Sequence, residues 1–430
     1  MRASFALTLD QLDEPDVAAF ALLGLLDTPD VSIPVAARLF GQSERDAERV
    51  LDRLAEAYLV QPASPGRYQM HDLLHTYARE RAGEMLSADV RRAAVDRVLR
   101  LLIAVAWRGT VLTNPTGTRE SLADETWTSD APRFRNASDA FDWLDRHRRL
   151  LIDITHALAA RPRLVTRLSL GLFRYYLARG YWQDWVRIAR VALHAAQSSP
   201  DRLVNAIARM DLGLALADLA HSRSGEYGEA LDHLTRSLAE FRVLDHPEGL
   251  AMCLINTADV HVATGDTAMG IACAEEALAV CEQHRLTHGE PFACENLGTL
   301  HRKQGNQERA LTYLERSLRG FVVLGNEAAS ARVLHGIGAV HHSGGHHDQA
   351  VSVLQRSIET CRRTGDQVGE LAALAAFGHV QIDLADIGAA TTSLHRALAL
   401  AEKCGDRRRQ ADIQHLLDAA TGHVENDTGV

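Results

Sequence analysis

The chain has 430 residues, 46% of them hydrophobic and 24% charged, with a formal net charge of −10. That is the make-up of a chain that buries a core, long enough for two or three domains. Only Lys303 and Lys403 stand against 44 arginines, and neither lies in a G-K-[ST] context, so a self-contained P-loop NTPase is excluded.

The charge is uneven along the chain: −7 over residues 1–90, +8 over 91–200 and −11 over 201–430. An acidic chain is a poor default partner for nucleic acid, whose phosphates are neutralised by cations. Met1 to Phe5 leads into acidic residues rather than a long apolar run, so no signal peptide is visible. The most apolar stretch, Val98 to Trp107, is broken by Arg100 and is too short to span a bilayer. The six cysteines (253, 273, 281, 294, 361 and 404) form no C-x-x-C pair. A cytoplasmic protein with reduced, buried thiols and no membrane partner is expected.

Residues 1–90 form the first expected domain. Helices are predicted over Asp16–Leu26, Pro34–Phe40 and Ser43–Tyr58, the last opened by Ser43 as N-cap with Asp46 three residues on. Tyr58–Gln61 and Arg67–Met70 read as two strands around a turn at Pro62–Gly66, and a final helix runs from His71 to Met85. Three helices followed by a two-stranded wing make a winged helix. Its third helix would be the DNA-reading one, yet it carries five acids against Arg45, Arg49 and Arg53. That balance favours a protein-packing module over direct DNA contact. The alternative is a DNA-binding transcription factor contacting DNA through these three arginines, with the rest of the chain as effector domain.

Residues 91–164 are a helical connector with a long loop at 108–138, marked by Gly109, Asn114, Pro115, Gly117 and Pro132. Arg119, Arg133, Arg135, Arg146, Arg148 and Arg149 make it basic. It suits the acidic repeats that follow, or an anionic partner.

Residues 165–420 repeat. Gly225, Gly265, Gly305, Gly345 and Ala385 are 40 residues apart, and each is followed at fixed spacing by small or apolar residues such as Ala310, Leu314 and Leu318. This is one face of an amphipathic helix leaving a tight turn. Leu297-Gly298, Ile337-Gly338 and Phe377-Gly378 precede the turns, and a second break falls at Gly325-Asn326, Gly365-Asp366 and Gly405-Asp406. An earlier copy ends at Gly180, with five extra residues before Gly225, placed around His221-Ser222-Arg223. Residues 421–430 are expected to be a disordered tail.

The unit resembles the tetratricopeptide repeat in a long, 40-residue form. The fold expected is therefore all-α: a winged-helix domain followed by a right-handed α-solenoid of five to six repeats with a concave groove. By that resemblance the first helix of each pair lines the groove, through residues two, three, six, ten and thirteen before the turn. Its polar lining would be Asp259, Glu295, Arg302, Lys303, Arg332, His335, His342, His379 and Asp383. The occupant would be a protein or peptide. His341, His342, His346 and His347 flank an exposed glycine turn, which holds ligands weakly, so no metal is expected. No Ser/His/Asp arrangement, paired carboxylates or nucleotide loop points to an enzyme.

Arg67-Tyr68-Gln69-Met70-His71-Asp72-Leu73-Leu74 with Tyr77-Ala78 is similar to the segment closing the winged helix of NB-ARC (STAND-type) signalling ATPases, including AfsR/SARP-like bacterial regulators. Phe141-Asp142-Trp143-Leu144-Asp145 and Arg148-Arg149-Leu150-Leu151 resemble the motif joining that domain to the repeats. The resemblance covers the last two parts of those regulators; the activator domain, the Walker motifs and the arginine sensor have no counterpart here. It implies a role for His71 at the phosphates of bound ADP, with Asp72 as a local cap. ADP or ATP would be met only if a separate NB-ARC domain supplied the site, and no cofactor of the chain's own is expected. The function implied is a non-enzymatic sensor and scaffold in transcriptional or signalling control, coupled to an NB-ARC ATPase or activator partner.

Overall fold

The computed structural model describes residues 2–113, 131–157, 162–198, 200–223 and 225–427. They fall into two compact units, one of residues 2–105, 131–132 and 144–157, the other of 106–113, 133–143 and 162–427.

The first unit opens with α1 (Arg2–Leu9), α2 (Glu14–Leu23), β1 (Asp30–Ser32), α3 (Ile33–Phe40) and α4 (Glu44–Glu56). It continues through β2 (Gln61–Ser64), β3 (Arg67–Gln69), α5 (Asp72–Met85) and the start of α6 (Ala88–Thr113); the end of α7 (Ala137–Arg146) and α8 (Arg148–Ala157) return to it. Proline sits in the first turn of α2 and α3, where its missing N–H costs nothing. Ser43 caps α4 by accepting from the Asp46 N–H at 3.2 Å, and α4 buries Ala47, Val50, Leu51 and Leu54, one helical stripe. The sheet has the order β1-β3-β2, antiparallel throughout, with Val31 and Pro62 both opposite Tyr68.

Two details differ from expectation. Tyr58 takes a left-handed φ of 56°, which ends the α4 segment, so the strand begins at Gln61 and the hairpin turn is shorter. Pro62 is tolerated because β2 is an edge strand. The sheet also gains β1, whose three residues are too few to show a period. Polar groups close on one another: Arg53 forks onto Asp16 (2.6 and 2.7 Å), Arg67 onto Asp30 (2.6 and 2.8 Å), and Tyr68 donates to Asp52 at 2.6 Å. Ser32 Oγ and His147 Nε2 are 2.8 Å apart.

The expected loop at 108–138 is shorter at both ends, because α6 runs to Thr113 and α7 starts at Ala137. Gly109 does not break α6; a Cβ there would lie 2.9 Å from the Phe141 ring, so the glycine serves close packing. Arg119, Asn114, Pro115 and Gly117 lie outside the described residues.

The second unit is built of helix pairs: α9 (Pro162–Arg179) with α10 (Trp182–Gln197), α11 (Arg202–Ser222) with α12 (Gly228–Val243), and α13 (Pro247–Thr264) with α14 (Thr267–His284). Then come α15 (Glu290–Lys303) with α16 (Gln307–Val323), α17 (Glu327–Ser343) with α18 (His347–Thr364), α19 (Gln367–Asp383) with α20 (Ile387–Cys404), and a last helix α21 (Arg407–Asp427). The five turns spaced at 40 residues all have positive φ: 71°, 81°, 77° and 75° at Gly225, Gly265, Gly305 and Gly345, and 57° at Ala385. The breaks between pairs do the same at Asp245, Arg285, Gly325, Gly365 and Gly405. After most turns an Asp or Asn caps the next helix, as Asp266, Asn306, Asn326, Asp366 and Asp386 do. The disordered tail expected from residue 421 is instead helical to Asp427, continuing a helix seated by Ile413, Leu417 and Ala420.

Packing within a pair follows one slot. A Cβ on Gly213, Gly298, Gly338 or Gly378 would come within 2.6–2.9 Å of Cγ of Leu234, Leu314, Leu354 or Leu394. In the pair α13–α14 the slot holds Ala258 and Ala274, both fully buried. The methyl added on α13 is met by a shorter side chain on α14, so the same close approach is kept with two side-chain carbons fewer in the slot. The Gly213–Leu234 separation is five residues longer than the others, which places the insertion in the C-terminal part of α11 and the loop behind it.

The array also closes on itself. The Arg179 side chain, 1% exposed, donates to the Gly365 carbonyl at 2.6 Å and to Asp142 at 2.5 Å, and lies over the Phe141 ring. Next to it, a Cβ on Gly180 would meet Cys404 at 2.8 Å. All six cysteines are free, and five are buried. No helix among the described residues is long and apolar enough to cross a membrane.

Candidate binding cavity of the repeat array

The first helices of the pairs surround a cavity of about 640 Å³, within the range of sites that hold a small ligand or a peptide segment. Phe173 and Leu177 of α9, Met210 and Leu214 of α11, Met252 and Ile255 of α13 and Phe292 of α15 give it apolar walls. Six of the nine expected groove residues line it: Asp259, Glu295, Arg302, Lys303, Arg332 and His335. His342, His379 and Asp383 do not; they gather beyond it, between α17 and α19, with His342 Nε2 2.6 Å from Asp383 Oδ2. His342 shares α17 with Arg332 and His335, whereas His379 and Asp383 come from the same helix slots one repeat further along, on α19.

Arg332 is fixed by Glu295, with Nε to Oε1 at 2.5 Å and the second nitrogen to Oε2 at 2.6 Å, and it lies over the Phe292 ring at 5.6 Å. Burial opposes its charge, but Glu295 outweighs that and holds the guanidinium ionised. Lys303 donates Nζ to the Val262 carbonyl. Arg302 makes no hydrogen bond or ion pair among the described residues, and burial lowers its pKa. His335 is pushed down to about 4, chiefly by burial and then by Arg409 and Arg302, so at neutral pH it is uncharged.

Two carboxyls are raised. Asp218 is pushed up to about 7 by burial, against the pull of Arg409 and Arg332, and its Oδ2 is buried without a hydrogen-bond partner. Asp259 is also pushed up to about 7, by burial first and by the Glu295 charge second. Asp259 lines the cavity and is open to water there. The wall thus sets two acids with raised pKa beside a cation that has no partner among the described residues, a mixed surface able to hold both donors and acceptors of a ligand.

Counting back from the turns missed five contributors. Arg408 and Arg409 sit on α21, which has no following turn to count from. Asp218 is displaced by the five-residue insertion in α11. Asn256 and Asn296 line the cavity one position from the slots used, and their own 40-residue spacing was the signal available.

In the N-terminal unit His71 is exposed and is itself the N-cap of α5, its Nδ1 accepting from the Leu73 N–H at 3.3 Å. The cap expected of Asp72 is therefore one residue earlier. Arg45 and Arg49 are exposed, whereas Arg53 is engaged by the buried Asp16, a contact its place on an acidic helix did not suggest. Desolvation of Asp16 by the fold requires that partner.

The tetratricopeptide repeat model matches residues 292–363, which run from α15 to α18. The chain is 29% identical over 325 residues to the regulatory protein AfsR of Streptomyces griseus, covering 65% of this chain and 32% of that protein. It is 28% identical over 331 residues to the regulatory protein AfsR of Streptomyces coelicolor, with the same two coverages. The chain therefore spans about a third of the length of these curated relatives. A STAND protein with a tetratricopeptide repeat sensor from Pyrococcus horikoshii aligns with 99% of this chain and 66% of its own, at 11% identity and a TM-score of 0.41. The resemblance to AfsR-like regulators read from the Met-His-Asp segment is thus found again over most of the chain.

Proposed function

We propose that the chain is the sensing half of an AfsR-like regulator, a scaffold whose repeat cavity receives a peptide or a segment of another protein. The observation that carries this reading is the cavity wall, where Arg302, Asp218 and His335 are withdrawn from bulk water without a protein partner. A peptide is the matching ligand class, because it brings carboxylates to Arg302 and amide or amine donors to Asp218 and Asp259 along one flexible chain. We read the N-terminal unit as a winged helix, since α2, α3 and α4 precede an antiparallel hairpin, and we assign it the coupling to an NB-ARC ATPase. His71 would then meet that partner's nucleotide, being exposed at a helix N-terminus, where an anion is favoured.

The test is selection of a displayed peptide library on the intact chain, followed by titration of the enriched peptides against variants. Enriched peptides should bind the parent and lose about tenfold or more in affinity on Arg302→Ala, one charge-assisted hydrogen bond. Failure to enrich, or binding indifferent to Arg302→Ala and Asp218→Asn, would remove the cavity from the reading. Coupling is checked separately by co-purification with an AfsR-like NB-ARC fragment, which His71→Ala should weaken.

A further inference from the structure

Apart from the cavity, His342 of α17 with His379 and Asp383 of α19 brings three ligand atoms within 4.8 Å of one another. The His379 ring meets that of His342 edge-on, 4.8 Å between centroids, and His347 adds a third imidazole with its ring 5.8 Å from that of His342. The side chains of His342 and Asp383 are 17% and 41% exposed, so an ion in solution can reach them. His379 and Asp383 stand one helical turn apart and point to the same side.

The repeat supplies its own control. The same three slots hold Arg302, Ala339 and Ser343 at the preceding interface, and Val262, Thr299 and Lys303 at the one before that. Those interfaces pack helices of the same kind, so packing does not call for two imidazoles and a carboxylate here. Among the described residues no other group of three such side chains converges in this way.

We propose that His342, His379 and Asp383 bind a first-row divalent transition metal ion of the Zn(II) class, which bridges two consecutive repeats. Two nitrogen donors and one carboxylate suit such an ion better than Mg(II) or Ca(II), which take all-oxygen sets. Three protein ligands leave a position for water, for His347 after a rotamer change, or for a donor from a bound molecule. The site rests on helices, unlike the glycine turn at His346-His347.

The experiment is calorimetric titration of the chelator-stripped, intact chain with Zn(II), with the visible spectrum of added Co(II) as a second readout. One equivalent should bind. His379→Ala and Asp383→Asn should each weaken binding by more than about tenfold, and His346→Ala should leave it unchanged. The decisive variant combines His342→Arg, His379→Ala and Asp383→Ser, which reproduces the interface the chain already folds at Arg302, Ala339 and Ser343. Circular dichroism should show it fully helical while the Co(II) spectrum is lost. No saturable uptake by the parent, or uptake that survives in the triple variant or follows His346, overturns the proposal.

Discussion

In the N-terminal unit, Arg53 and Arg67 each close a fork on one carboxylate, and Tyr68 and His147 end on Asp52 and Ser32. The cavity wall of the repeat array is built otherwise. Arg332 has Glu295, but Arg302 and His335 have no partner among the described residues, and one oxygen of Asp218 is buried without one. An unmade buried hydrogen bond costs about 1–3 kcal/mol. The N-terminal unit also keeps one buried side-chain nitrogen without a hydrogen bond, Arg81 Nε; what distinguishes the array is that Arg302, His335 and Asp218 line one common cavity. The contrast is the one on which the proposed division rests, recognition in the array and coupling in the smaller unit.

The largest effect that would test this contrast lies in the slot shared by every pair. Leu314→Ala should destabilise the array by about 3 kcal/mol, and Gly298→Ala by about 2 kcal/mol through overpacking. Made together they copy Ala258 and Ala274, so the double variant should lose at least about 1 kcal/mol less than the sum. Denaturant melts followed by hydrogen exchange measure this unit by unit, because two units need not melt together. Strict additivity would mean that the slots are not interchangeable. Next comes Asp16→Ala, which strands Arg53. A loss of about 2 kcal/mol, confined to exchange in residues 2–105, is expected, since Arg53 is half-exposed and recovers some hydration. Loss of protection at the cavity as well would blur the division between the units.

The smallest effect concerns Asp218 and has a sign that depends on pH. Its folded pKa, about 7, is above the ordinary 3.8, so the folded chain binds this proton more tightly than the unfolded one. The stability it contributes is complete below about pH 4 and is lost as the pH rises through 7. Asp218→Asn should therefore stabilise the array by about 1 kcal/mol at pH 8 and not at all at pH 4. Equal stability at both pH values would show that Asp218 already has a partner.

The array was legible because its information is periodic. Forty-residue spacing alone located five turns, all of which have positive φ in the structure, Ala385 included. Six groove residues followed from the same count. What escaped were features without a period: Arg408 and Arg409 on a lone terminal helix, Asp218 behind an insertion, and β1, whose strand nature depends on a partner 37 residues away. Arg53 was read as a candidate for DNA because its charge is visible in the sequence, while the buried Asp16 that holds it comes from another helix.

A stack of repeats whose members touch only their neighbours can fray pair by pair from either end. Arg179 prevents that here, for its bond to the Gly365 carbonyl joins residues 186 positions apart. Loss of the last pair would also expose a buried guanidinium at the first, so neither terminus can peel away alone. The unit should then melt in one cooperative step, and it should fold more slowly than its helical content suggests, since the closing contact is among its most non-local.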